Sequence, residues 1–130
     1  MLSYLFIGAN DMAASGRFYQ AVLGPLGYQH ESDGRQLLFS LPDVADRDNG
    51  PGTVYIAPPF NGQPAASGNG FMPGFRAATR MLVDEIHAAG ISAGGSDEGE
   101  PGTRERYNEH FYVAYLRDPA GNKLAVFCND

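Results

Sequence analysis

The chain has 130 residues, enough for one compact domain with a buried core. Its formal net charge is −6, with nine Lys and Arg and no basic block, which excludes the clustered cations that nucleic acid or an anionic membrane requires. Apolar residues make up 43%, no apolar run approaches the ~20 residues of a membrane span, and one cysteine rules out an internal disulfide or a multi-cysteine metal site.

The N-terminus lacks a basic region followed by a long apolar stretch, so a cytoplasmic protein is expected. The acidic balance is read as solubility, with steering of a cationic ligand as the alternative. Cys128 falls on the last strand and is expected to act as a small buried hydrophobe.

Residues 2–8 predict a strand with Tyr4 and Phe6 on one face and Leu5 and Ile7 on the other. Asn10 or Asp11 then caps a helix that runs to about Leu23, with Ala14, Phe18 and Val22 as its buried stripe. Gly24-Pro25-Leu26-Gly27 ends it. Short strands are predicted over 28–32, 36–41 and 53–57, the first two joined by Asp33-Gly34, a hairpin signal. Residues 42–52 and 58–69 read as loops rich in Pro, Gly and small side chains.

The cycle then repeats. Residues 70–75 predict a strand that Pro73 confines to an edge or a bulge. A helix is expected over 78–89, with Leu82, Ile86 and Ala89 on its buried face and Gly90 as its stop. A weak strand over 91–95 leads to an acidic loop over 96–100 and a polar, aromatic-rich loop from Pro101. A strand over 112–117, the turn Asp118-Pro119-Ala120-Gly121-Asn122 and a last strand close the chain. Pro119 presets φ, and Gly121 permits the positive φ of the reversal.

The order is β-α-β-β-β written twice, at a spacing of roughly 65–70 residues. Each helix covers one sheet face and leaves the other bare. The expected α+β fold is therefore two βαβββ modules, about 1–60 and about 68–130, forming a curved mixed sheet around a cleft with the helices outside. A cleft between modules is a common ligand site.

Three stretches carry a family resemblance. One is the strand–Asp11–helix segment through Phe18-Tyr19 to Tyr28. A second is Gly68-Asn69-Gly70, entering the fifth strand, with a helix ending His87-Ala88-Ala89-Gly90. The third is Pro101-Gly102, Arg104, Tyr107 and Phe111-Tyr112, running on to Asp118-Pro119-Ala120-Gly121-Asn122-Lys123-Leu124. Together they resemble the vicinal oxygen chelate superfamily of glyoxalases, bleomycin-resistance proteins and extradiol dioxygenases. The resemblance implies the paired-module fold and a homodimer. It does not imply one activity, because this fold hosts lyases, dioxygenases, isomerases and plain binding proteins.

Enzymes of that superfamily hold one divalent metal with His, Gln or Glu from the first, fifth and last strands, and often the fourth. Carried over by position, those sites hold Tyr4, Met72, Ala125 and, by a looser alignment, Tyr55. A hard or borderline ion needs imidazole or carboxylate donors at about 2.0–2.2 Å. A thioether is too soft and alanine offers no donor. No metal and no cofactor are therefore expected.

The expected function is binding of a small hydrophobic or aromatic molecule in the cleft by Tyr4, Phe6, Tyr55, Met72, Arg104, Tyr107, Phe111 and Tyr112. The aromatics supply broad apolar faces with polar handles, methionine adapts its packing, and Arg104 with Arg106 offers a clamp for a carboxylate. One alternative is a metal-dependent lyase or dioxygenase with non-standard ligands such as His110. Another is a metal-independent enzyme using Tyr107, His110 or a carboxylate as acid/base. His30 and His87 are expected at the surface.

Overall fold

The computed structural model describes residues 1–46 and 48–130. The first module begins with β1 (Tyr4–Gly8) and α1 (Met12–Leu23). Asp11 is the cap: its carboxylate accepts from the Ala14 N–H at 3.0 Å, satisfying a donor that the first helical turn leaves orphaned. The buried side of α1 is Ser15, Phe18, Tyr19, Val22 and Leu23, a broader stripe than expected, with Ala14 at its margin. After a single 3₁₀ turn come β2 (Gln29–Ser32), β3 (Leu37–Ser40) and β4 (Thr53–Ala57). They form a four-stranded sheet in the order β1-β4-β3-β2, parallel only between β1 and β4.

The second module repeats this plan with β5 (Gly74–Arg76), α2 (Arg80–Ser92), β6 (Ser96–Arg104), β7 (Asn108–Arg117) and β8 (Lys123–Asn129). Its sheet order is β5-β8-β7-β6, and β5 and β8 are its parallel pair. The architecture is thus α+β, two βαβββ units with two mixed sheets. One hydrophobic core runs through both, from Ile7, Phe18 and Phe39 to Ile86, Leu116 and Val126. Buried Cys128 belongs to that core. No helix among the described residues is long and apolar enough to cross a membrane.

Several boundaries in the second module differ from the sequence expectation. The fifth strand starts at Gly74, not Gly70. Gly70 takes a positive φ of 92° in a turn, and Pro73 has no N–H to donate. The Pro73 carbonyl still accepts from the Ala125 N–H at 3.0 Å, so the ladder begins there and Met72 precedes it. The second helix does not stop at Gly90. Thr79 caps it by accepting from the Leu82 N–H at 3.1 Å, and it continues to Ser92. Its buried face is Val83, Ile86, His87 and Gly90 rather than Leu82, Ile86 and Ala89.

Gly90 is there for packing. A Cβ at that position would lie 2.9 Å from a Leu116 methyl and 3.1 Å from a Val22 methyl, so its absence lets α2 approach both β7 and α1. Residues 91–95 complete and leave the helix instead of forming a strand, and the acidic stretch from Ser96 belongs to β6. Pairing with β7 overrides the weak intrinsic strand preference of Asp, Glu and Gly, with register irregularities near Gly99 and Gly102. The expected loop from Pro101 to Phe111 is mostly the hairpin of β6 and β7, which places His110 and Phe111 on a strand.

His87 is not at the surface. It is 8% exposed, and its Nε2–H donates to Asp97 Oδ1 at 2.9 Å, tying α2 to β6. That hydrogen bond, followed by one from the Gly99 N–H, holds the Asp97 carboxyl below its ordinary range. A carboxyl lowered on folding contributes stability above its unfolded value and loses it as pH falls through the folded one. The stability gap between the native protein and Asp97→Asn is expected to be full near pH 5 and to close as pH falls below about 3.9. Thermal melts of both proteins across that range check this, and a gap independent of pH would refute it.

Candidate functional site

The site is built on the β7–β8 turn. Asp118 is buried, and its carboxylate accepts four hydrogen bonds. Oδ1 takes the N–H groups of Ala120 and Asn122, both at 2.9 Å. Oδ2 takes the Tyr19 hydroxyl at 2.6 Å and the Asn122 amide at 2.9 Å. Gly121 supplies the positive φ of 92° that the reversal requires. The Asn122 amide also donates to the Gly8 carbonyl at 3.0 Å. The turn of module two is thereby bonded to the helix and to the end of the first strand of module one. Burial, then the charge of Asp118 and the bond to it, raise the Tyr19 phenol well above its ordinary value, so it stays a neutral donor.

Above this junction lies a cavity of about 190 Å³. Phe6, Gly8 and Tyr19 line it from module one, Pro73, Asn122 and Lys123 from module two, and Phe71 from the connecting segment. The connection is pinned by Asn10, whose amide donates to the Ala65 carbonyl at 3.1 Å and accepts from the Ala65 N–H at 2.7 Å. A Cβ on Gly8 would meet the Ala65 Cβ at 3.0 Å, so a side chain there would push the connection away. A second hollow of about 340 Å³ shares Gly68, Phe71 and Lys123 with the first and adds Met72 and Arg117.

The eight residues expected at the site fall into separate groups. Phe6 lines the first hollow and Met72 the second. Tyr4 and Tyr55 meet edge to face at 5.6 Å on the sheet surface turned away from α1, and the Tyr55 hydroxyl donates to Asn49 Oδ1 at 2.7 Å. Tyr107 packs against Phe111 at 5.7 Å, and Phe111 against Phe127 at 5.5 Å, toward the far end of the second sheet. The Arg104 guanidinium lies 5.4 Å from the Tyr115 ring centre, and Arg106 lies 5.9 Å from that of Tyr107, so the two do not form one clamp. Tyr112 is on the opposite face of β7 from Phe111. Its hydroxyl donates to Asp84 Oδ1 at 2.7 Å, and Arg80 stacks on its ring.

Sequence reasoning missed Tyr19, Phe71, Asn122 and Lys123. One signal was present for Lys123: strand alternation puts it on the same face as Ala125. Nothing local marked Tyr19, whose role depends on a partner 99 positions away.

The superfamily's metal does not fit the residues present. Ala125 is 4% exposed and has no donor atom, and Met72 stands before the strand. Among the described residues, no three or more His, Cys, Asp or Glu lie together as ligands for an ion. His110 is exposed on β7, with Glu109 at 3.7 Å, and lines neither hollow.

A crystal structure of a glyoxalase/bleomycin resistance protein from Albidiferax ferrireducens T118 is 38% identical to this chain, covers 98% of both chains and superposes with a TM-score of 0.84. The chain belongs to the glyoxalase/bleomycin resistance protein family. A family enzyme from Burkholderia phytofirmans PsJN (22% identity, 99% of this chain and 98% of that one, TM-score 0.72) shares the fold. So does a glyoxalase-related enzyme from Fulvimarina pelagi (15% identity, 99% and 88%, TM-score 0.75). No protein-family model and no curated protein matches the sequence. Within the glyoxalase/bleomycin resistance fold, the Asp118 turn joins the two modules beneath the cavity.

Replacing Tyr19 by Phe removes one donor from a buried carboxylate with little change in volume. The expected cost is about 1–3 kcal/mol, read by urea unfolding. A change within error would show that the bond does not hold the modules together.

Proposed function

We propose that this protein is a glyoxalase-like scaffold that binds a small hydrophobic or aromatic molecule between its modules without the superfamily's metal. One observation carries the proposal: the hollow at the module junction is walled by Phe6, Phe71 and Pro73 and the hollow beside it by Phe71 and Met72, while the chelating positions offer Tyr4, Tyr55, Met72 and Ala125. Apolar walls with a few polar groups at the floor suit ring binding. The same residues give a divalent ion no set of imidazole or carboxylate donors. The residues proposed to contact the ligand are Phe6, Phe71 and Met72, with Asn122 and Lys123 at the floor.

The test is a panel of neutral one- and two-ring aromatics scored by thermal shift, with metal analysis of untagged protein. Hits are expected whose affinity falls about fivefold in Phe71→Ala, as loss of one apolar wall implies, and whose binding is unchanged by a chelator. A stoichiometric divalent ion in the purified protein, or binding abolished by the chelator, would overturn the proposal.

We further propose that the protein works as a homodimer. Tyr4 and Phe6 are each about half exposed on the uncovered sheet face, and Phe60, Phe71 and Tyr107 are exposed as well, apolar surface that a second copy would cover. Light scattering on the eluting protein is expected to give twice the mass of one chain. The mass of a single chain would reject the dimer and leave the binding proposal intact.

A further inference from the structure

The hollows beside Lys123 reverse the sign of the molecule's charge. Over the whole chain, Asp and Glu outnumber Lys and Arg by 15 to 9. Among the described residues, no acidic side chain lines either hollow, whereas Lys123 lines both and Arg117 lines the second. The hollow on the first sheet is the reverse, with Glu31, Asp33 and Asp48 in its walls.

The two cations are not equivalent. Arg117 is already neutralised: its Nε donates to Glu98 Oε1 at 2.6 Å, and a terminal nitrogen donates to the Gly121 carbonyl at 2.8 Å. Lys123 makes no ion pair with a carboxylate among the described residues. Its Nζ rests 5.2 Å from the Tyr115 ring centre, which holds the ammonium in place without cancelling its charge.

The other side-chain donors of the first cavity are committed inward. The Tyr19 hydroxyl is given to Asp118, and the Asn122 amide to Gly8 and Asp118. Among the described residues, the Lys123 ammonium is therefore the side-chain donor left for a ligand, beside the apolar walls of Phe6 and Phe71. A volume of about 190 Å³ is below the roughly 300 Å³ at which drug-sized pockets begin, which restricts the ligand to about one ring.

From these observations we infer that the bound molecule is a small aromatic carboxylate, its ring against Phe6 and Phe71 and its carboxylate on the Lys123 ammonium. The inference rests on the small-molecule reading of the same cavity. It adds the sign of the ligand's charge and the residue that selects it. A charge-assisted hydrogen bond in a partly enclosed site supplies the preference.

Benzoate, benzamide and benzamidine are near-isosteric probes carrying negative, zero and positive charge. Each is titrated into the full-length protein and into Lys123→Met, which keeps an unbranched stem, and followed by amide NMR shifts. The expected result is that benzoate binds about tenfold more tightly than benzamide, benzamidine binds weakest, and the shifts centre on Phe71, Asn122 and Lys123. In Lys123→Met the benzoate preference is expected to vanish while benzamide binding is retained. Lys123→Arg is expected to restore the preference.

If benzamide binds native protein as tightly as benzoate, the charge inference falls and the small-molecule site stands. Tightest binding of benzamidine overturns the inference in the same way. A benzoate preference that survives Lys123→Met removes Lys123 as the selecting residue. If none of the three probes shifts Phe71 or Asn122, the site itself falls, and the inference with it.

Discussion

The buried carboxylate of Asp118 is the constraint on which the arrangement of this molecule depends. Withdrawing a carboxylate from water is costly unless its lone pairs are satisfied, and here four donors satisfy them. Two of those donors are backbone N–H groups within the turn, which fix its shape. A third is the hydroxyl of Tyr19, a fully buried side chain on α1. The fourth, the Asn122 amide, is shared with the end of β1. One charged group thus shapes a hairpin and locks two modules together, and the cavity lies directly over the joint.

Two kinds of close approach complete the joint. Gly90 lets α2 press against both α1 and β7, drawing the two helices into a common core. Gly8 lets the connection between the modules cross the end of β1, where Asn10 holds it at Ala65. Phe71 is carried to the cavity by that connection. The walls of the cavity therefore come from both modules and from the chain between them, with little contribution from the middle of either sheet.

This placement explains why the aromatic residues expected at the site divide as they do. Tyr4, Tyr55 and Phe111 lie on strands, and their sheet faces follow from simple alternation, whereas Tyr107 sits in the turn between β6 and β7. Tyr112 follows the same rule and faces α2, one residue away from Phe111 and on the opposite side. Sharing a face does not make residues neighbours. Tyr4 and Tyr55 touch because β1 pairs with β4, while Tyr107 and Phe111 gather near the other end of a different sheet. The lack of a donor at position 125, by contrast, was legible in residue identity alone, since no folding turns alanine into a ligand.

The βαβββ order, its repetition, the Asp118–Asn122 turn and the loss of chelating side chains are local properties, written in periodicity, turn chemistry and residue type. The strand status of the acidic stretch from Ser96 and the helical continuation through Gly90 required tertiary structure. Strand pairing with β7 and tight packing against Leu116 outweigh intrinsic preferences of well under a few kcal/mol. The buried His87–Asp97 pair and the tie from Tyr19 to Asp118 depend likewise on contacts between distant segments, or between elements whose packing only the fold sets. Composition declared the chain acidic. Only the three-dimensional arrangement left Lys123 without a counter-ion among the described residues, beside an apolar hollow, because the net charge of a chain does not say which charges face each other.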